Sequence, residues 1–329
     1  MSKVLAGDIG GTKTRLAIIE VAGTHLNTVR EVSYPSRDFA TLDALLDDFL
    51  KEGQAPAHAA FGVAGPVQGR TVPVTNLPWV IDADVMQRRF GFVSCSLLND
   101  LEATAFGLPA LADADMLTLQ TGAPDASGNI AIIAAGTGLG EAGLYWDGSR
   151  HHPYATEGGH TSFSPQDDLE MELLQYLQGL YGHVSWERVV SGMGLLDLHN
   201  FLRGYRQVAV PQWLEDEMCE NDAAAAISNA ALGGEDDLCV ETLEIFVQLY
   251  GAEAGNLALK SMSRGGLYVG GGIAPKILPL LQRDTFMRAF LRKGRMRPLL
   301  EAMPVRVILN DRVALYGPAL SAARTAGLK

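Results

Sequence analysis

The chain has 329 residues, of which 47% are hydrophobic and 19% are charged, and its formal net charge is −12. This composition supports a large buried core and excludes a chain that is disordered throughout. The acidic balance argues against binding along a nucleic-acid backbone, which needs clustered Lys and Arg. We therefore expect a folded protein with no nucleic-acid partner, and the length predicts two domains.

The cysteines and the apolar segments narrow the class further. Cys95, Cys219 and Cys239 are widely spaced, and the sequence contains no CxxC pair. This usage predicts neither a disulfide framework nor a zinc cluster, and it is typical of a reducing compartment. The sequence has no apolar run of about 18 residues and no signal-like start. We therefore expect a cytoplasmic protein that does not cross a membrane.

In the first third of the chain, short apolar runs alternate with glycine-rich breaks. Runs at Val4–Ala6 and Leu16–Val21 predict two strands joined by a glycine-rich turn. Apolar residues at helical spacing predict a helix at Thr41–Leu50. This alternation indicates a sheet covered by helices. The other elements predicted here are strands at Ala59–Ala64 and Ser94–Leu98 and a helix at Leu101–Leu111.

The opening pattern returns in the middle of the chain. A buried-strand run at Ile130–Ala135 leads into the glycine-rich Gly136–Gly140, and a second strand is predicted at Ala142–Trp146. The recurrence indicates two related lobes, although a chain with 36 glycines can also contain two similar hairpins by chance. The remaining predictions are helices through 165–264, a strand at Leu267–Val269, a helix at Lys276–Leu281, a strand at Pro304–Leu309 and a helix at Arg312–Ala326.

Three glycine-rich turns, each after a predicted strand, are candidate phosphate sites: Gly10-Gly11-Thr12, Gly136-Thr137-Gly138 and Gly270-Gly271-Gly272. Glycine amides can approach an anion closely, and each of the two threonines adds a hydroxyl donor. The turns match neither the P-loop nor the dinucleotide pattern, so each one taken alone favours an ordinary tight turn. Asp8, just before the first turn, either holds Mg²⁺ beside a phosphate or bonds to turn amides.

Several polar residues follow the predicted strands. Asn99 and Asp100 either cap the next helix or place a carboxylate where it can accept a proton from a substrate hydroxyl. The segment Glu157-Gly158-Gly159-His160 is either an ordinary loop or a set of donors and acceptors for a polyol. Glu187 lies in what could be the first turn of a helix capped by Ser185. None of these residues decides the function alone.

Together the segments resemble the bacterial ATP-dependent glucokinases of the sugar kinase/actin/heat-shock ATPase superfamily, in the branch without zinc. The resemblance covers nearly the whole chain in the same order. The segments that carry it are Gly7-Asp8-Ile9-Gly10-Gly11-Thr12, Gly65-Pro66-Val67, Thr75-Asn76-Leu77-Pro78-Trp79, Leu98-Asn99-Asp100-Leu101-Glu102-Ala103, Gly136-Thr137-Gly138-Leu139-Gly140, Glu157-Gly158-Gly159-His160, Glu187-Arg188-Val189-Val190-Ser191-Gly192 and Gly270-Gly271-Gly272-Ile273-Ala274-Pro275.

The resemblance implies a two-lobed α/β protein with the actin-like ATPase (ribonuclease H-like) fold and a central cleft. It implies a small domain at 1–110, completed by about 301–321, and a large domain with helical insertions at 111–300. The implied reaction is ATP-dependent phosphorylation of D-glucose at its 6-hydroxyl, which feeds glycolysis. A homodimer is also implied.

The resemblance also assigns the site. Asn99, Asp100, Glu157, His160 and Glu187 are expected to bind glucose, with Asp100 as catalytic base. Mg²⁺ is expected near Asp8, held through phosphate or water, and zinc is not expected because 161–181 contains no Cys. The residues expected to bind ATP are Gly7, Asp8, Ile9, Gly10, Gly11, Thr12, Gly136, Thr137, Gly138, Gly270 and Gly271.

Two alternatives stay open from the sequence: a kinase for another hexose, such as mannose or N-acetylglucosamine, and a non-catalytic sugar sensor. The intact Asp8, Asp100 and glycine turns argue against the sensor. Only seven residues precede Asp8, so we expect no DNA-binding domain ahead of the first turn. The segment Lys13-Thr14-Arg15 departs from the Asn-Ala-Arg usual in that branch, which leaves its contacts open.

Overall fold

A computed structural model describes residues 2–51, 53 and 55–328 of the chain. The elements divide into two compact units. The first unit comprises Met1–Asp115, Pro153–Ala155 and Asn310–Lys329, and the second comprises Met116–His152 and Thr156–Leu309. The domains implied by the resemblance, 1–110 with about 301–321 and 111–300, remain a proposal.

Strands and helices are numbered here in chain order. The strands are β1 (Ser2–Ile9), β2 (Lys13–Ala22), β3 (His25–Pro35), β4 (His58–Val63), β5 (Thr71–Pro73), β6 (Val80–Asp82), β7 (Ser94–Asn99), β8 (Met116–Gln120), β9 (Ile130–Ala135), β10 (Leu139–Trp146), β11 (His151–Thr156), β12 (Gly266–Gly270) and β13 (Val305–Ile308). The helices are α1 (Leu42–Leu50), α2 (Ala83–Phe90), α3 (Asp100–Gly107), α4 (Asp168–Tyr181), α5 (Gly192–Arg206), α6 (Gln212–Glu220), α7 (Ala223–Gly233), α8 (Asp237–Lys260), α9 (Leu278–Leu281), α10 (Asp284–Leu291), α11 (Arg297–Glu301) and α12 (Val313–Thr325). Of the helices in these described ranges, none combines the length and the apolar character needed to cross a membrane.

The first unit is built on a five-stranded sheet in the order β3-β2-β1-β4-β7. Strand β1 is antiparallel to β2 and parallel to β4, which is in turn parallel to β7. Successive residues of β1 point to opposite faces: Leu5 packs in the cluster that contains Phe49 of α1, whereas Val4 packs in the cluster that contains Leu315 of α12. Because helices cover both faces, β1 is the continuous apolar run that the sequence showed.

The second unit repeats this plan around a six-stranded sheet in the order β11-β10-β9-β12-β13-β8. Strand β9 is antiparallel to β10 and parallel to β12, which is parallel to β13. The order and directions of β10-β9-β12-β13 are therefore those of β2-β1-β4-β7. The long helix α8 contributes Phe246 and Tyr250 to the core of this unit. The repeated strand–turn–strand pattern thus extends to the topology of both sheets.

Two predicted helices differ from the structure. The helix expected at Leu101–Leu111 ends at Gly107 and continues as a 3-10 turn at Leu108–Ala110. The helix expected at Lys276–Leu281 is shorter, because 271–277 forms consecutive turns and α9 has a proline in its first turn. Proline is tolerated in the first turn of a helix but removes a hydrogen bond in the interior.

Candidate active site

The first glycine turn joins β1 to β2 and is held by a serine from outside the motif. The amide of Gly10 donates to the carbonyl of Lys13 at 3.0 Å, which closes the turn. The hydroxyl of Ser36 donates to the carbonyl of Gly10 at 2.7 Å, and its amide donates to the carbonyl of Thr12 at 3.0 Å. Thr12 itself is exposed. Ser36 therefore fixes the backbone of the turn, while Thr12 at its tip is accessible to a ligand.

Asp8, near the end of β1, forms an ion pair with Arg15, a residue to which the sequence analysis gave no role. Arg15 is 8% exposed, and its Nη2 lies 2.9 Å from Asp8 Oδ2. The same guanidinium forms an ion pair of 2.7 Å with Asp311, just before α12. Thr14 points the other way and shares a buried hydrogen bond with Ser36. These are the side-chain contacts of Thr14 and Arg15 that the sequence left open.

Asn99 and Asp100 stand at the junction of β7 and α3. The Oδ1 atom of Asn99 accepts from the amides of Leu101 and Glu102, at 3.0 and 3.4 Å, so the predicted helix cap is confirmed. The Oδ1 atom of Asp100 accepts from the amide of Leu101 at 2.9 Å. A carboxylate in the first turn of a helix is stabilised by the helix dipole. Capping and a catalytic role are compatible, because Asn99 supplies the cap and Asp100 is a separate side chain.

The strand register brings the first turn and Asp100 to one edge of the sheet. Ile9 pairs with Val63, and Val63 pairs with Asn99, through parallel neighbours β1, β4 and β7. Two strand spacings of about 4.8 Å put Ile9 and Asn99 roughly 10 Å apart. Open α/β sheets bind ligands at this carboxyl edge. The expected phosphate turn and the expected base therefore lie together at the edge of the first sheet.

The second glycine turn is tied to Glu187. The Oε2 atom of Glu187 accepts from the amide of Leu139 at 3.0 Å. A Cβ atom at Gly138 would collide with that same oxygen, so a larger residue there would displace the Glu187 carboxylate. The alternative of a helix capped by Ser185 is wrong, because Trp186–Arg188 is a single 3-10 turn and the Ser185 side chain makes no cap hydrogen bond. The Glu187 carboxylate bonds to the glycine turn instead.

His160 lies between two carboxylates. Its Nε2 is 3.9 Å from Glu157 Oε2, and its Nδ1 is 3.9 Å from Glu187 Oε1. These separations are longer than a hydrogen bond and leave room for polar groups of a ligand. The side chains of His160 and Glu157 are 59% and 73% exposed, whereas Glu187 is 21% exposed. Three of the five predicted glucose-binding residues therefore converge within the second unit.

The third glycine turn lies beside the second. Gly270 ends β12 and pairs with Ala134 of β9, so the two turns leave adjacent parallel strands at the same edge. The amide of Ile273 donates to the carbonyl of Ala135 at 3.2 Å, which fastens the third turn to the start of the second. All the predicted ATP-binding segments of this unit thus share one sheet edge.

Sequence reasoning missed three residues that support this arrangement: Arg15, Ser36 and Glu141. The first two are polar residues whose partners lie outside their own motif. Glu141 is 2% exposed, and a lone charge inside the apolar run 139–144 was the signal that could have revealed it. A charged residue is rarely buried unless it has a specific role or partner.

Metal-binding potential is limited. Within 2–51, 53 and 55–328, no group of three or more His, Cys, Asp or Glu side chains could hold a metal ion. Mg²⁺ is usually bound by one or two carboxylates together with substrate phosphates and water. Asp8 fits that mode, because Arg15 engages Oδ2 and the side chain is still 25% exposed.

Comparison with solved structures identifies the class of fold. The chain matches the crystal structure of a glucokinase from an Antarctic psychrotroph with a TM-score of 0.86, at 31% identity over 98% of this chain and 99% of that one. It also matches a ROK family glucokinase from Streptomyces griseus, solved with glucose and AMPPNP, with a TM-score of 0.67 at 22% identity over 98% and 100% of the chains. The predicted α/β, actin-like ATPase fold is therefore confirmed.

Sequence comparison then gives the family. A model of the family described as Glucokinase matches residues 5–325. The glucokinase of Trichormus variabilis is 44% identical over 98% of this chain and 100% of its own length, and that of a Synechocystis species is 42% identical over 98% of each. The chain belongs to the glucokinase family. The predicted enzyme class, a kinase that phosphorylates glucose with ATP, is confirmed, which sets aside the sugar sensor.

Proposed function

We propose that this chain transfers the γ-phosphoryl group of ATP to the 6-hydroxyl of D-glucose, with Asp100 as catalytic base. The observation that carries the proposal is the shared sheet edge of Asp100 and the first glycine turn, joined through the Ile9–Val63–Asn99 register. A base must lie within hydrogen-bond reach of the hydroxyl that attacks the phosphorus. That edge brings acceptor and phosphate contacts together.

Asn99, Glu157, His160 and Glu187 bind the remaining sugar hydroxyls in this proposal. Carboxylates are acceptors only, so Glu157 and Glu187 each receive hydrogen bonds from hydroxyl donors. His160, between them, can donate or accept according to its tautomer. Each charge-assisted bond contributes about 1.5–3 kcal/mol net. The set therefore supplies both affinity and discrimination among sugars.

The three glycine turns bind the nucleotide, with Gly7–Thr12 and Gly136–Gly138 at the phosphates and Gly270–Gly271 on the adenosine side. Asp8 would hold Mg²⁺, directly or through water, and the ion's charge neutralises the phosphate oxygens. Arg15 fixes the rotamer of Asp8, so the carboxylate keeps one orientation beside the turn. Phosphoryl transfer depends mainly on such positioning and on charge neutralisation.

Three finer features are proposed from the family resemblance alone: a homodimer, a cytoplasmic location and a place at the entry of glucose into glycolysis. Sedimentation equilibrium of the purified protein tests the first of these. A mass equal to one chain at all concentrations would contradict the dimer.

The sugar specificity is tested by ADP release from MgATP with glucose, mannose or N-acetylglucosamine as acceptor. We expect the highest kcat/KM with glucose and glucose 6-phosphate as the product. Mannose inverts the 2-hydroxyl of glucose and N-acetylglucosamine replaces it, so either sugar leaves a polar partner of that hydroxyl unpaired in a site that hydrogen-bonds each one. A higher kcat/KM with mannose or N-acetylglucosamine would replace glucose by that sugar.

A further inference from the structure

Two glutamates meet inside the second unit, directly beneath the loop that carries Glu157 and His160. Glu141 of β10 is 2% exposed and Glu253 of α8 is fully buried. The charge of Glu253 acts on the carboxyl group of Glu141, so the two groups face each other. Two carboxylates that face each other in a buried site do not both stay ionised, so the pair holds one proton.

Hydrogen bonding decides which partner holds the proton. Glu253 accepts from Nδ2 of Asn256 at 2.7 Å and from Nζ of Lys260 at 3.1 Å. In contrast, Oε1 of Glu141 is buried and has no hydrogen-bond donor among the described residues. The charge therefore lies on Glu253, and the proton lies on Glu141.

The other oxygen of Glu141 supports the sugar loop, defined here as 157–160. A Cβ atom at Gly158 would overlap with Oε2 of Glu141, so the carboxyl packs directly against the loop backbone. The carbonyl of Glu141 accepts from the hydroxyl of Thr156 at 3.0 Å, and that hydroxyl accepts from the amide of Gly158 at 3.3 Å. Glu141 thus contacts the loop through both its side chain and its backbone.

We propose that Glu141 is a positioning residue for glucose binding: its neutral carboxyl holds the sugar loop through Gly158, and its ionisation displaces the loop and weakens the affinity for glucose. The inference rests on the proposed role of Glu157 and His160 in binding the sugar. It adds a residue outside the predicted site and a pH dependence that comes from Glu141.

The surroundings of the pair place this ionisation near neutral pH. Burial, the largest cause, and the charge of Glu253 together raise the pKa of Glu141 to about 8, against the opposing charge of Lys260. Tyr250 of α8 also faces Glu141, and burial raises its pKa, so it stays neutral in this range. From the loop side, Glu157 and His160 are the titratable groups. A carboxyl with this pKa is mostly neutral at pH 7 and mostly ionised at pH 9.

The first experiment measures kcat and KM for glucose at saturating MgATP from pH 6.5 to 9 in the wild type, Glu141→Gln and Glu170→Gln. If only the neutral form holds the loop, linkage predicts about a tenfold rise in wild-type KM between pH 7 and 9, with little change in kcat. Glutamine keeps the shape and a donor but cannot ionise, so Glu141→Gln should show the wild-type KM at pH 7 and no rise. Glu170, another buried glutamate with a raised pKa, contacts Gln166 and Gln248 instead, and its variant should keep the wild-type profile. The same rise in Glu141→Gln as in the wild type would overturn the proposal.

A second variant and a binding measurement cover the case in which Glu141→Gln does not fold. Glu253→Gln removes the negative charge that disfavours ionisation of Glu141, so the rise in KM for glucose should move to lower pH. A rise that stays at the wild-type pH contradicts the proposal. Calorimetry of wild-type glucose binding at pH 8.5, in two buffers of different ionisation enthalpy, should show proton uptake, and zero uptake contradicts it. Glu157→Gln at pH 7 separates the two proposals. If this variant has a raised KM for glucose while Glu141→Gln keeps the wild-type rise in KM with pH, the sugar site stands and the role of Glu141 is removed.

Discussion

Arg15 donates two hydrogen bonds to a single oxygen of Asp8, from Nη2 at 2.9 Å and from Nε at 3.1 Å. Two further donors of the guanidinium reach Oδ2 and the carbonyl of Asp311, at 2.7 and 2.8 Å. Burial alone would lower the pKa of Arg15, but the charges of Asp8 and Asp311 raise it above its ordinary value. The arginine is therefore a permanent cation that fixes Asp8 beside the first glycine turn.

Replacing this arginine tests its role at the nucleotide. Arg15→Lys keeps the charge but loses the planar fork that binds Asp8 and Asp311 together. Losing one charge-assisted bond costs about 1.5–3 kcal/mol, so kcat/KM for MgATP should fall by about tenfold or more while KM for glucose changes little. Steady-state kinetics with each substrate varied in turn provide the measurement.

Arg206→Lys is the matched control for this variant. Arg206 binds Glu241 through two of its nitrogens on the surface, with 44% of its side chain exposed. Exposed pairs contribute little, so its kinetics should equal those of the wild type. Wild-type values for Arg15→Lys would show that Asp8 does not need this partner.

Glu157→Gln tests the sugar loop. The change keeps the size of the side chain and replaces one acceptor oxygen by an NH₂ donor, so a hydroxyl of glucose loses its charged acceptor. We expect kcat/KM for glucose to fall by about tenfold or more. Glu172→Gln, on an exposed face of α4, should leave the kinetics unchanged. Unaltered glucose kinetics in Glu157→Gln would remove this residue from the site.

Metal removal should separate magnesium from zinc. A zinc-selective chelator should leave activity unchanged once Mg²⁺ is restored, because only three cysteines occur and they are widely spaced. EDTA without added Mg²⁺ should abolish turnover, since the phosphates then lack their counter-charge. Stoichiometric zinc in the purified protein, lost together with the fold on chelation, would contradict this prediction.

The free energy of unfolding should depend on pH through the ionisation of Glu141. Its pKa is raised from 4.5 to about 8 in the folded protein, chiefly by burial, whereas the unfolded chain releases the proton near the ordinary value. Between those values the unfolded state binds fewer protons, so this group's contribution to stability falls as pH rises and levels off above about pH 8. Urea unfolding at pH 5, 6.5 and 8 should show a smaller decline in Glu141→Gln than in the wild type. Parallel declines in both proteins would show that Glu141 ionises alike in the folded and unfolded chains.

Local sequence patterns predicted the strands that are apolar and end at glycine-rich turns. The runs Val4–Ala6 and Ile130–Ala135 lie inside β1 and β9 because strands covered on both faces read as continuous apolar stretches. Strand β3, His25–Pro35, escaped prediction because it lies at the edge of its sheet and is largely polar. An edge strand buries little of either face, so its sequence carries no strong period.

The positions of the candidate residues along the strands and loops were predictable, but the contacts that support them were not. Asn99 and Asp100 could be placed because a strand end followed by a helix start is a local signal. The approach of Glu187 to Leu139, and of Glu141 to Glu253, joins segments far apart in the chain. Such contacts depend on how β10 packs against the 3-10 turn Trp186–Arg188 and against α8, which no local pattern contains. The resemblance to a family named the residues, whereas the packing explains what holds them.

The most direct test of this account is the kinetics of Asp100→Asn beside those of Asp113→Asn, an exposed aspartate in a nearby turn. The amide keeps the shape of Asp100 and an acceptor oxygen for the amide of Leu101, but it cannot take the proton of the 6-hydroxyl. Loss of a general base typically costs ~10²–10⁴-fold, so kcat should fall by that factor while glucose affinity, measured by calorimetry, stays within a few-fold. Asp113→Asn should match the wild type in both measurements. An Asp100→Asn enzyme that keeps more than about a tenth of the wild-type kcat, with unchanged glucose binding, would contradict the assignment of Asp100 as the base.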